Sequence, residues 1–124
     1  MYKRQEQSCA ESVFFCNSGA EANESAIKLI KKYGNTVHKG KESFILTAES
    51  SFHGRTLATL SATGQPKYKK GFEPMVKGFK FFKYNDIVSV KKLFEELKEN
   101  NQKASGILVE PCLLYTSPSP RDRH

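Results

Sequence analysis

The chain has 124 residues, enough for one domain at most, and its 38% hydrophobic and 27% charged residues are those of a globular chain. No apolar run approaches bilayer-crossing length and the polar start MYKRQEQSCAES has no signal-peptide core, so a cytoplasmic location without membrane partners is expected. The net charge of +7 is spread over lysines with no nucleic-acid motif, and Cys9, Cys16 and Cys112 form no C-x-x-C pair and no zinc spacing. Nucleic-acid binding, a disulfide framework and a metal site are not expected, and the thiols read as buried or incidental.

Residues 1–11 supply no recognisable element. The apolar run SVFFC, residues 12–16, predicts a short strand that turns through Asn17, Ser18 and Gly19 into a helix over 20–34. In that helix Ala22, Ala26, Leu29, Ile30 and Tyr33 recur at helical spacing, and Gly34 suits the stop. SFILTAE, residues 43–49, reads as the next strand, and residues 54–64 as a short helix ended by Gly64, although their threonines make propensity a weak guide. After a loop punctuated by Pro and Gly, residues 78–84 alternate as a strand does. Residues 86–100 place Ile87, Val90, Phe94 and Leu97 on one helix face, with Asn85 or Asp86 as N-cap. SGILVEP, residues 105–111, closes the series as a buried strand. Strand and helix alternating in this way predict an α/β protein with a mainly parallel sheet flanked by helices.

The composition changes abruptly after Pro111. Back-translated, Cys112 through Asp122 fit, codon by codon, a widely used transposase sequencing adapter read through in frame. Residues 112–124 are therefore expected to be an artefact without fixed structure, and residues 12–111 to be part of a larger domain.

In parallel sheets ligands sit beyond the carboxyl ends of the strands. Asn17 to Ala20 follow the first predicted strand, Ser50 to Arg55 follow the second, and Glu110 ends the last, so three loops are expected to converge on one small molecule. The Ser18-Gly19-Ala20 corner offers a hydroxyl, free N–H groups at a helix start, and a glycine that lets a ligand reach the backbone. It suits a phosphate, or it is a plain strand-to-helix connection; it has neither the lysine of a Walker A loop nor a G-x-G-x-x-G pattern. In SSFHGRT, Phe52 can stack on a planar ring and Arg55 can grip a carboxylate through two bonds. The plain alternative makes Phe52 core and Arg55 surface. His53 suits a general base or, with no partner in sight, a structural hydrogen-bonding role.

Taken together, FFCNSGAEANESAIKLIKKYG, SFHGRTLATLSATGQPKYKKGFEP and GILVEP resemble the class III pyridoxal-phosphate aminotransferases, in the family's order and at its separations, over residues 12–111. The resemblance implies a fragment of the large domain of fold-type-I enzymes and pyridoxal 5′-phosphate as cofactor. It assigns the cofactor phosphate to the Gly19 and Ala20 backbone with Ser18 beside them, the pyridine ring to Phe52, and a substrate carboxylate to Arg55. His53 and Glu110 would lie near the active site. Family members carry an Asp under the pyridine nitrogen and a Schiff-base Lys well beyond V-E-P. No catalytic residue is therefore assigned in this chain, and the fragment alone is expected to be inactive. For the intact protein the resemblance implies ping-pong transfer of an amino group to 2-oxoglutarate by a homodimer. The run HGRTLATLSATGQPKY favours N-acetylornithine as amino donor, in arginine biosynthesis, over ornithine, succinylornithine or 4-aminobutyrate. A reading from a different class is a non-catalytic anion-binding α/β module.

Overall fold

The computed structural model describes residues 10–111. The segment 112–124, Cys9 and most of the uncertain start lie outside the described residues. In chain order the elements are α1 (Gly19–Val37), β1 (Ser43–Ala48), α2 (Leu57–Ala62), α3 (Pro66–Lys69), β2 (Phe79–Phe82), α4 (Ile87–Glu99) and β3 (Lys103–Leu108). The strands form one sheet in the order β2-β1-β3, parallel throughout, as the alternation of strands and helices predicts.

The run FILTA reads as continuously apolar because β1 is the central strand and is covered on both faces. Successive side chains point to opposite faces. Leu46 and Ala48 join Phe82, Leu93 and Leu97 beneath α4, while Ile45 joins Ile27 and Ala62 beneath α1 and α2. The result is a sheet between two helical layers. Asp86 caps α4, its carboxylate accepting from Ser89 N at 3.1 Å. Ser18 caps α1, its Oγ accepting from Glu21 N at 3.2 Å. Glu21 in turn accepts from Asn17 N, one residue before the cap, at 2.9 Å, a variant of the reciprocal bonding that the sequence pattern S-x-x-E favours.

Several expectations are corrected. Residues 12–16 form no strand, and Phe14 is 74% exposed. An apolar run becomes a strand only when a neighbouring backbone takes up its ladder bonds, and no described strand pairs with this one. The helix does not stop at Gly34 but continues to Val37. Gly34 is buried because β3 presses on it there: a Cβ would stand 2.2 Å from Ser105 Oγ and 2.7 Å from Ser43 Oγ. Ser105 is the extra residue where the β1–β3 register slips between Phe44 and Ile45, and the irregularity aims it at α1. The buried face of α1 therefore runs through Ile27 and Gly34, with Ile30 partly buried, whereas Leu29 and Tyr33 face outward.

On α4, Leu93 and Leu97 are buried while Ile87 and Phe94 are exposed. The last strand spans 103–108 rather than 105–111 and is only half-buried, because it is an edge of the described sheet. Residues 66–69, read as loop, form the short α3, entered through Pro66. Cys16 is exposed, which leaves the incidental of the two readings of that thiol. Among the described residues no helix is long and apolar enough to cross a membrane.

Candidate functional site

The loop after β1 is built to be held. Glu49 N donates to Phe82 O at 2.7 Å, which ends the strand against β2. Ser50 then adopts a left-handed conformation (φ 63°), fixed by its N–H to Gly64 O at 2.8 Å. Ser51 is buried and its Oγ accepts from Gly64 N at 3.0 Å. The chain is thus turned so that Phe52 N donates to Glu110 Oε1 at 2.9 Å, tying the end of β1 to the end of β3. One residue later His53 N donates to Thr63 Oγ1 at 3.0 Å, and His53 O accepts from Asn23 Nδ2 of α1 at 2.8 Å. Gly54 follows at φ 132°, pressed so closely on α1 that a Cβ would meet Ala20 Cβ at 3.0 Å and Thr59 Oγ1 at 2.6 Å. Only glycine satisfies both the dihedral and the approach.

The three predicted loops therefore converge at the carboxyl edge of the sheet. Ser18, Gly19 and Ala20 stand at the start of α1, Phe52 to Arg55 lie across it, and Glu110 closes the far side. Asn23 and Glu24, which the sequence reading did not single out, bind that crossing loop.

Phe52 is half-buried and meets Tyr68 edge-on, with ring centroids 5.6 Å apart and planes at 70°. The Arg55 guanidinium lies 6.0 Å from the Phe52 centroid and 5.7 Å from that of Tyr68, so an exposed arginine is steadied by two aromatic rings. It borders a cavity of about 380 Å³ whose walls include Leu57, Leu60, Tyr68 and Phe72, with Lys67 and Lys70 also at its lining. Cations around an apolar floor suit an organic anion.

His53 does not carry the side-chain hydrogen bond expected of a structural histidine. Its backbone is bonded on both sides, yet the imidazole is buried and Nε2 has no partner. Burial lowers its pKa below the ordinary value, because the charged form loses its hydration. The folded protein then binds fewer protons than the unfolded chain, so stability is fully present above the unfolded value of about 6.5 and declines as pH falls below it toward the folded value. His53→Phe in the full-length protein is expected to flatten the fall in melting temperature as pH drops below about 6.5. A melting curve as steep in the variant as in the parent would contradict this.

The residues fit a phosphorylated, planar, carboxylate-bearing occupant set. No described residue accepts from the Gly19 or Ala20 N–H, and the helix start carries partial positive charge. A Cβ on Gly19 would meet nothing within 4 Å, so there is room for an anion at the backbone. The Glu21 carboxylate is turned back onto Asn17 N. Phe52 offers an aromatic surface and Arg55 a planar two-pronged donor.

An open parallel sheet with an anion-ready helix start and a carboxylate-ready arginine at its carboxyl edge is a cofactor-binding α/β layout. The family model described as aminotransferase class-III matches residues 3–113, and the chain belongs to that family. It is 96% identical over 105 residues to the acetylornithine aminotransferase of Prochlorococcus marinus subsp. pastoris, which covers 85% of this chain and 25% of that protein. The chain thus spans about a quarter of the length of the curated relatives it matches. Its fold superposes on the ornithine aminotransferase of Toxoplasma gondii ME49 with a TM-score of 0.77 at 26% identity, over 98% of this chain and 29% of that one. A second structure of the Toxoplasma gondii enzyme, reported with partial occupancy of PLP at the active site, gives a TM-score of 0.75 at 27% identity over 90% of this chain and 26% of that one. The described residues are accordingly a fragment of the fold of pyridoxal-phosphate-dependent aminotransferases.

Proposed function

We propose that residues 12–111 form the phosphate-holding, ring-packing and carboxylate-binding wall of a pyridoxal-phosphate pocket in an aminotransferase that moves the δ-amino group of N-acetylornithine to 2-oxoglutarate. The convergence of Gly19, Ala20, Phe52 and Arg55 on one sheet edge carries this reading. The 96% identity to an acetylornithine aminotransferase supports the choice of amino donor, and we extend the reading to a place in arginine biosynthesis. Pyridoxal phosphate, when bound, supplies the electron-withdrawing ring that exchanges amino groups for carbonyls.

The chain's own residues bind and orient. The Gly19 and Ala20 N–H groups hold the phosphate at the positive end of α1, with the Ser18 hydroxyl beside them. Phe52 covers one face of the ring and keeps water from it. Glu110 holds the Phe52 backbone, so β3 sets where that face stands. Arg55 takes a carboxylate of the amino donor and then one of 2-oxoglutarate, which brings the reacting carbon to the same place in both halves of the cycle. In this reading the proton-moving lysine and the acid near the ring nitrogen would be supplied by parts of the full-length protein other than these residues. The 124 residues alone are inactive in this reading, and the full-length protein works in the cytoplasm as a homodimer. Residues 112–124 are not native in it.

The test is the full-length protein with added pyridoxal phosphate. A visible absorbance band that changes on adding N-acetylornithine, with faster turnover of that donor than of ornithine, succinylornithine or 4-aminobutyrate, is expected. Phosphate binding with no visible band would replace this reading with a non-catalytic anion-binding module. Faster turnover of another donor would reassign the substrate.

A further inference from the structure

Two successive side chains of α1 hold the backbone on either side of Arg55. Asn23 Nδ2 donates to His53 O at 2.8 Å. Glu24 Oε2 accepts from Thr56 Oγ1 and, at 3.2 Å, from Thr59 N. Thr56 stands at the N-cap of α2 yet makes no side-chain capping bond of its own. Glu24 reaches across from another helix and takes up Thr59 N, one of the amides that a helix start leaves without an acceptor. Its negative charge lies at the positive end of α2. Residues 53 and 56 are thus both pinned to α1, and Gly54 between them rests on Ala20.

The same α1 carries the phosphate-holding turn one helical turn earlier. Resting on the function proposed above, we infer that Asn23 and Glu24 are positioning residues that fix the separation between the Gly19–Ala20 turn and Arg55. They thereby tune the site for donors and acceptors whose carboxylate lies at one distance from the reacting carbon. Neither side chain touches substrate. Glu24 acts through Thr56 and the start of α2, and Asn23 through the carbonyl before Gly54.

The experiment compares full-length parent, Glu24→Ala, Glu24→Gln and Asn23→Ala. A hydrogen bond to a charged group contributes about 1.5–3 kcal/mol, so Glu24→Ala is expected to raise KM for the carboxylate-bearing donor by about 10-fold to 100-fold. In the first half-reaction alone, followed in a single turnover without 2-oxoglutarate, a plain alkylamine that lacks a carboxylate should react within about 3-fold of the parent rate. Glu24→Gln, which keeps an acceptor oxygen, should recover most of the loss, and Asn23→Ala should show the same donor-selective rise as Glu24→Ala. Calorimetry on the cofactor-free protein should show weaker glutarate binding in Glu24→Ala by a similar factor.

Equal losses for both donors, a Gln variant as damaged as the Ala one, or unchanged glutarate affinity would each overturn the inference. If Glu24→Ala does not fold, Thr56→Val removes the hydroxyl that Glu24 binds while keeping its shape. The same carboxylate-selective loss is expected there, and its absence overturns the inference. A parent protein with no visible band and no turnover sinks the functional reading instead, and the glutarate comparison still decides the role of Glu24.

Discussion

Arg55→Ala in the full-length protein is expected to lower kcat/KM for carboxylate-bearing substrates by two to three orders of magnitude, about 3–4 kcal/mol of transition-state stabilisation. The size follows from what is removed: a planar, always-charged donor that meets a carboxylate with two parallel bonds. Arg55 is also held in place beforehand, because Phe52 and Tyr68 flank its guanidinium at 6.0 and 5.7 Å. Little side-chain freedom is then lost on binding, so truncation loses the interaction at nearly full strength. Pyridoxal-phosphate affinity should fall far less, since the phosphate is assigned to the Gly19 and Ala20 N–H groups of α1, which the substitution leaves in place. Arg55→Lys keeps the charge but not the fork, and an intermediate loss is expected. Loss of cofactor in step with substrate would move Arg55 out of the substrate site.

Gly64→Ala is expected to destabilise the full-length protein by about 3 kcal/mol or more. A Cβ at this position would stand 2.4 Å from Ala48 O and 2.8 Å from both Glu49 Cα and Ser50 N. All three are backbone atoms at the end of the central strand, so no side-chain rotation relieves the overlap. Gly64 also accepts from Ser50 N and donates to Ser51 Oγ. Pushing the two segments apart would loosen the turn that delivers Phe52 to Glu110. Melting temperature and phosphate-ester affinity should fall together. A variant that melts with the parent would mean that the loop after β1 has room the distances do not show.

Much of the architecture was legible because its causes are local. The run FILTA, the capping signal at Asn85 or Asp86, and the alternation of strands with helices led to a parallel α/β sheet, and the structure has one. What failed to read was whatever depends on a neighbour. Hydropathy marks residues 12–16 as apolar but says nothing about which backbone would pair with them. It counts Leu29 and Tyr33 as core because they fall at the right spacing. The actual contact face of α1 includes Gly34, whose contribution is its lack of a side chain.

The candidate site divides in the same way. The residue types in SGA and SFHGRT indicated anion binding, ring stacking and carboxylate recognition, because those capacities belong to the groups themselves. The bonds that assemble them are between residues far apart in sequence. Phe52 and Glu110 are 58 positions apart, Asn23 and His53 are 30, and Glu24 and Thr59 are 35. By itself the sequence determined most of the elements, the sheet's parallel character and the chemistry available at its loops, since periodicity, capping and side-chain type act within a few residues. Only the tertiary structure decided that Asn23 and Glu24 hold the Arg55 loop, that His53 Nε2 is buried without a partner, and that Gly34, Gly54 and Gly64 are sites of close approach, since packing and long-range hydrogen bonds exist only once the chain has folded.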